Sequence, residues 1–217
     1  MPSGTVYGTL LNFRSEVEAL TAQMHQPPYK APPKAPVLYV KTANTWSAHD
    51  AAIAVPARVP EVEVGATIAM VMGDAGRIQG YVLMNDLSIP HTSFFRPPVK
   101  FKCLDGFLGI GAYLPAARAG EPAAFTLEVR INGELKQTVD FANLVRSAAQ
   151  LRAEVSEFMT LRPGDVLMLG CDFGRPLAKA GDRIDITAPG LGTLSNTLVA
   201  ETSDAEPPPQ SVGATST

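Results

Sequence analysis

The sequence predicts a mainly β protein with a few helices, an α+β fold in one domain, and three observations carry that reading. Strand-like segments outnumber helical ones by about three to one when hydrophobic periods are counted. They do not alternate with helices, which excludes a doubly wound parallel sheet. One run, "ATIAMVMG" (residues 66–73), is apolar on both faces and so belongs inside a covered sheet. The bulk numbers agree. A chain of 217 residues suits one large domain, and 46% hydrophobic against 18% charged residues provides a core and excludes global disorder.

The elements follow in order. "TVYGTLLNF" (residues 5–13) alternates as a short strand. Ser15 with Glu18 three residues on forms a capping box for a helix whose face carries Val17, Leu20, Thr21 and Met24. Pro27 and Pro28 stop that helix, and "KAPPKAP" is a stiff extended connector, so residues 1–40 comprise strand, helix and Pro-rich link. "VLYVK" and "AAIAVPARV" are strand-like, and "GDAGR" turns the interior strand back into "IQGYVLMND". "FTLEVRINGEL" alternates, with Asn132 and Gly133 at a turn. "NLVRSAAQLRAEVSEFM" reads as the one long helix, with Leu144, Ala148, Leu151, Val155 and Phe158 in 3,4 spacing. "DVLMLG" and "DRIDITAPGLG" close a domain expected to span residues 1–200. Residues 201–217, rich in Pro and Ser, read as a disordered tail.

Several function classes drop out. A net charge of −3 leaves no basic surplus for a phosphate backbone, so no nucleic acid is expected. The N-terminus lacks a basic n-region and no apolar run approaches the ~20 residues of a membrane span, which makes a cytoplasmic chain with no membrane contact the expectation. Cys103 and Cys171 have no paired ligand spacing and read as free thiols, buried or half-buried. His25, His49 and His91 show no metal-ligand spacing, and GxSxG, P-loop and GxGxxG motifs are missing.

Two clusters remain. Glu61 and Glu63 sit two apart before the interior strand, so their carboxylates share a face and could hold a divalent cation. In "NDLSIPHTSFFRPPVKFKCLDGFLGIG", Asp86 ends a buried strand, and Arg96, Lys100, Lys102 and Asp105 follow. An acid at the end of an interior strand, with cations near it, suits an anion or keto-acid site. The competing reading is an Asp that caps the next turn, with lysines in solvent.

"GYVLMND", "KCLDGF" leading to "GIG", "INGELKQT", "VSEFMTLRPGDVLMLG" and "GDRIDITAPGLGTLSN", in that order, resemble the fumarylacetoacetate hydrolase superfamily. "YKAPPKAP", "GATIAMV" and "SFFRPPVKFKCLDGF" are similar to its branch of isomerase/decarboxylases of 4-hydroxyphenylacetate (homoprotocatechuate) breakdown, specifically to the N-terminal half or separate first subunit. The resemblance implies a mixed β-roll. It implies Mg²⁺ or Mn²⁺ held by an E-x-E pair and the Asp of an "ND" strand end, chelated by a 2-oxo acid, because losing CO₂ or breaking a C–C bond beside a carbonyl leaves an enolate that a Lewis acid stabilises. It also implies a lid with a His-x-x-Glu dyad.

The chain departs from that pattern. Counting back from Gly73, the family's E-x-E falls on Gly65 and Thr67. Glu61 and Glu63 are displaced by four residues, about 13 Å at ~3.3 Å per residue, and read as a solvated approach to the strand. Glu16 and Ala19 stand at the lid dyad, and Gly170, Cys171 and Asp172 replace the family's "GTP". Asp86 and Lys102 match, as metal ligand and as the lysine that touches substrate, and Asp105 matches as a residue ordering its loop. The expected chain is therefore a subunit of a 5-oxopent-3-ene-1,2,5-tricarboxylate decarboxylase / 2-hydroxyhepta-2,4-diene-1,7-dioate isomerase, with its own metal site degenerate and no cofactor of its own. Lys102 and Asp86 are the catalytic candidates, and Arg96 and Asp105 the substrate-binding ones. Its partners would be a small 2-oxo dicarboxylate or tricarboxylate and a metal-competent paralogous subunit or a second copy. Two alternatives stay open: an autonomous Mg- or Mn-dependent hydrolase or decarboxylase of 2-oxo acids using Glu61, Glu63 and Asp86, and a non-catalytic scaffold subunit.

Overall fold

A computed structural model describes residues 2–92 and 96–201. The stretch expected as a tail lies outside the described residues from position 202 on; Glu201, inside them, donates its N–H to the Val55 carbonyl at 3.0 Å. The strands are β1 (Val6–Leu10), β2 (Val37–Lys41), β3 (Trp46–Ala48), β4 (Ala52–Val55), β5 (Val62–Glu63), β6 (Ala66–Met72), β7 (Ile78–Asp86), β8 (Leu108–Pro115), β9 (Thr126–Ile131), β10 (Glu134–Asp140), β11 (Val166–Met168), β12 (Leu177–Ala178), β13 (Arg183–Ala188) and β14 (Gly192–Ala200). The helices are α1 (Arg14–Met24), α2 (Val99–Lys102), α3 (Ala116–Ala119) and α4 (Ala148–Ser156).

A seven-stranded mixed sheet runs β2-β1-β11-β6-β7-β8-β3, and a five-stranded one runs β10-β9-β13-β14-β4. The strand β12 pairs separately with β5. The seven-stranded sheet curls into a roll, because its two edge strands β2 and β3 are joined by one short turn, Ala43–Thr45. Strand alternation then sorts side chains into two cores. On β6 and β7, Ile68, Met70, Met72, Tyr81 and Leu83 point out of the roll, towards Leu127, Val129, Ile184, Ile186 and Leu194 of the second sheet. Ala69, Val82 and Met84 point into it and meet Val6, Tyr39, Leu108, Val166 and Met168. The run expected to be interior is therefore buried on both faces.

The Asn132–Gly133 turn forms, with φ of 52° and 82°, the left-handed pair that joins β9 to β10. The "GDAGR" segment closes the β6–β7 hairpin, with the Gly73 N–H donated to the Arg77 carbonyl at 2.8 Å.

Two helix expectations are corrected. Ser15 is not an N-cap: α1 starts one residue earlier, its cap position is Phe13 with no side-chain bond, and the Ser15 hydroxyl is donated to Asp172 instead. The segment 143–159 is not one long helix. Leu144 lies before it in extended backbone, Ser147 and Gln150 make a capping box, and α4 spans nine residues. Phe158, assigned to its buried face, is 60% exposed. Period counting carried the helix through Phe158 because Leu144, Leu151 and Val155 are buried whether or not helix joins them.

Candidate functional site

The site begins with strand parity. On β7, Val82 and Met84 face the roll interior, so Asp86 two residues on faces it too, with 0% of its surface exposed. On β2 the same alternation aims Tyr39 and Lys41 inwards while Val40 between them is exposed. Lys102, at the end of α2, comes in from the other side. The Lys41 ammonium lies 2.9 Å from one Asp86 oxygen, and the Lys102 ammonium lies 2.7 Å from the other. The Tyr39 hydroxyl donates to the latter oxygen as well, and the Lys102 ammonium sits 4.8 Å from the centre of the Tyr39 ring. Lys41 donates its three N–H groups to the carbonyls of Phe107 at 2.7 Å, Leu87 at 3.3 Å and Lys102, so it meets Asp86 as an ion pair without a hydrogen bond.

Burial alone would raise the Asp86 carboxyl. Lys102 and Lys41, with the Tyr39 hydrogen bond, outweigh it and hold the acid well below the usual carboxylate range. Burial lowers Lys41 although Asp86 pulls the other way. Burial and the Asp86 charge push the Tyr39 phenol well up, so it remains a donor.

Across the sheet, Gly65 faces Asp86, whose N–H donates to the Gly65 carbonyl at 2.8 Å. A Cβ at Gly65 would collide with the Asp86 main-chain oxygen and lie 3.0 Å from the Cys171 sulfur. Thr67, next on that face, donates its hydroxyl to the Gly170 carbonyl at 2.5 Å. Glu63 lies one step further out, in the bridge to Ser88. Among the described residues no three His, Cys, Asp or Glu side chains gather as a metal-binding group, so Glu61, Glu63 and Asp86 are not brought together. Glu61 is exposed, as expected of a solvated approach. Glu63 corrects that expectation: its carboxylate lies 3.2 Å from Arg175.

Arg175 organises a second charge cluster. One of its terminal nitrogens bonds Glu63, and the other bonds Glu16 of α1 at 2.6 Å. The remaining Glu16 oxygen accepts the Leu11 N–H at 2.6 Å. Burial pushes the Glu16 carboxyl up against the pull of Arg175. Burial also works against the Arg175 charge, but Cys171, Glu16 and Glu63 overcome it and raise the guanidinium. Glu16, Glu63 and Arg175, with His91, Thr92 and Gln23, line a cleft of about 300 Å³. Leu10, Leu20, Met24, Tyr29 and Val37 line an adjoining apolar cleft of about 170 Å³, and the two clefts share Glu16, Leu20 and Gln23 of α1.

The other expected residues are placed as follows. Arg96 and Lys100 are exposed. Asp105, also exposed, accepts a hydrogen bond at 2.6 Å from the side chain of Asn44, in the Ala43–Thr45 turn between β2 and β3. Asp172 accepts from Ser15 and from the Phe173 N–H at 2.8 Å. Cys103 is half-buried and Cys171 buried, and both thiols are free. His25 caps α1, His49 accepts the Ser195 N–H at 3.1 Å, and the His91 ring stacks on Phe101 at 4.6 Å. Sequence reasoning missed Lys41, Tyr39 and Arg175. The alternation of "VLYVK" could have found the first two; Arg175, in an irregular segment, has no periodic signal.

Residues 5–199 match the family model described as fumarylacetoacetate (FAA) hydrolase C-terminal. The chain belongs to the fumarylacetoacetate hydrolase family. The 4-hydroxyphenylacetate degradation bifunctional isomerase/decarboxylase of Salmonella dublin is 40% identical over 208 residues, covering 91% of this chain and 48% of that protein. The homoprotocatechuate catabolism bifunctional isomerase/decarboxylase of Escherichia coli is 37% identical over the same shares. The chain thus spans about half the length of the curated relatives it matches. Among solved structures, the fumarylpyruvate hydrolase of Pseudomonas aeruginosa in complex with Mn²⁺ and pyruvate superposes with a TM-score of 0.77 at 22% identity, over 91% of this chain and 90% of that one. The 5-carboxymethyl-2-hydroxymuconate delta-isomerase of Mycobacterium smegmatis gives 0.75 at 24%, over 92% and 80%. At these identities the likeness establishes the fumarylacetoacetate hydrolase fold. No helix among the described residues is long and apolar enough to cross a membrane.

Proposed function

We propose that the chain is the metal-poor half of a 5-oxopent-3-ene-1,2,5-tricarboxylate decarboxylase / 2-hydroxyhepta-2,4-diene-1,7-dioate isomerase, working in 4-hydroxyphenylacetate breakdown with a metal-competent paralogous half. The observation that carries this reading is the state of Asp86. One of its oxygens accepts from Lys102 and Tyr39, the other lies 2.9 Å from the Lys41 ammonium as an ion pair without a hydrogen bond, and the residue opposite it is Gly65, where no side chain fits. A divalent cation of the Mg²⁺ or Mn²⁺ kind wants several oxygen ligands at about 2.1 Å in a near-octahedral set. One carboxylate held between two ammonium groups, with no further acids gathered beside it among the described residues, does not suit it. This supports a site that has given up metal chemistry.

In this reading Lys102 and Asp86, a pair buried inside the roll and absent from the lining of the 300 Å³ cleft, support the site from behind. A small 2-oxo dicarboxylate in the 300 Å³ cleft would meet Arg175, His91 and Gln23. Arg96 and Asp105 belong to the loops around α2. The test is an activity assay of the purified chain alone and mixed with a metal-competent paralogue of the same family. The expected result is weak or absent turnover alone and turnover on mixing. Full, EDTA-sensitive turnover by the isolated chain would overturn the proposal and favour autonomous catalysis.

A further inference from the structure

We propose that Arg175 is the chain's own cation at this site, latching helix α1 over the cleft by bridging Glu16 and Glu63. The bridge spans elements far apart in sequence. Glu16 comes from the first helix, Glu63 from β5, and Arg175 from the segment between β11 and β12. The Arg175 side chain retains 10% exposure and that of Glu16 3%. Two carboxylates so placed repel each other unless a cation lies between them. Here that cation is covalently part of the chain, and its planar fork offers one terminal nitrogen to each acid. A second contact, Ser15 to Asp172, fastens α1 to the same segment three residues before Arg175.

The third nitrogen gives the latch a way to open. Arg175 Nε is buried and has no acceptor among the described residues. A small carboxylate entering the 300 Å³ cleft can bind this free N–H and the adjacent Nη2 N–H as a bidentate pair, which displaces Glu16 from the fork. The ligand class for this latch is thus a small organic carboxylate, and its binding is coupled to release of α1. The inference concerns α1 and the cleft, and holds whichever reaction the assembled enzyme performs.

Hydrogen exchange on the full chain tests it. Arg175→Met should speed exchange of the α1 amides, residues 14–24, by about tenfold or more, with β6 and β7 unchanged. Glu16→Gln should do the same, and the double variant no more than either single change, since all three break one bridge. Arg175→Lys should restore protection in part, because a single ammonium cannot serve both carboxylates in the same plane. Mn²⁺ titrated alone, read by electron paramagnetic resonance, should bind Arg175→Met more tightly than the unaltered chain, and the gain should vanish in the double variant. Pyruvate added to the unaltered chain should speed α1 exchange. The latch is refuted if α1 protection survives in both single variants, or if the two effects simply add. It is refuted as a counter-cation if Arg175→Met binds Mn²⁺ no better than the parent. Should Arg175→Met fail to fold, Glu16→Gln and Arg175→Lys carry the exchange test. Neither readout needs a substrate turnover or a partner subunit, so the result is independent of the mixing assay.

Discussion

The Asp86 cage and the Arg175 latch are both made of carboxylates and cations, yet they differ in count and in water. In the cage, one acid faces two ammonium groups and a phenol, all shut inside the roll, with Asp86 and Lys41 at 0% side-chain exposure. In the latch, one cation faces two acids at the wall of an open cleft, with Glu63 at 21%. The cage has no solvent to share its charge with, so removing its acid leaves two ammonium groups stranded. The latch can exchange one acid for a ligand. Depth therefore separates a charge cluster that holds the fold from one that can be switched.

The largest expected effect comes from breaking the cage. Asp86→Asn leaves Lys41 and Lys102 uncompensated and should cost about 3–5 kcal/mol of folding stability, read as a lower urea midpoint. Next is the packing opposite it. Gly65→Ala forces a Cβ against the Asp86 main chain and should cost about 1–3 kcal/mol by the same measure, whereas Thr67→Ser keeps the hydroxyl and should cost less. Glu63→Gln weakens the latch at a partly solvated position and should cost about 1 kcal/mol or less.

Acid titration sharpens the contrast, because the two clusters have slopes of opposite sign. The Asp86 carboxyl is held below its ordinary 3.8, so the unfolded chain binds more protons there, and stability is lost as pH falls through and below that value. Glu16 is held above its ordinary 4.5, so the folded chain binds the extra proton, and its contribution becomes more favourable as pH falls towards 4.5. Urea midpoints against pH should show Glu16→Gln removing the second trend and leaving the acid-side loss intact. The smallest effect concerns the thiols. Cys171, buried, has its thiol pushed up to about 12, while Cys103 is half-buried. Ellman's reagent should therefore titrate one thiol per native chain and two in urea; rapid labelling of both in the native state would contradict the burial of Cys171.

Much of the fold could be read from residue order. "GYVLMND" read as a buried strand ending at Asp86, and the resemblance to the family, counted back from Gly73, put Gly65 and Thr67 where the family's acids stand. The first is legible because strand patterning is local; the second needed the family's register. The helix ends were less legible. Ser15 and Glu18 had the capping spacing, but a tertiary partner, Asp172, claimed the serine hydroxyl. Phe158 had the helical spacing, but α4 ended before it.

The partners of the charges could not be read at all. Lys41 is 45 residues from Asp86, and Arg175 is more than a hundred from Glu16 and Glu63. The sequence by itself determined which acids exist, which strand faces carry them, and that two expected carboxylates are missing. Only the tertiary structure decided that Asp86 would meet two lysines and that one arginine would bridge Glu16 to Glu63. The reason is physical: side-chain parity travels along a strand with the covalent backbone, whereas which cation neutralises a buried acid depends on how the sheet curls and on which distant segments its closure presses together.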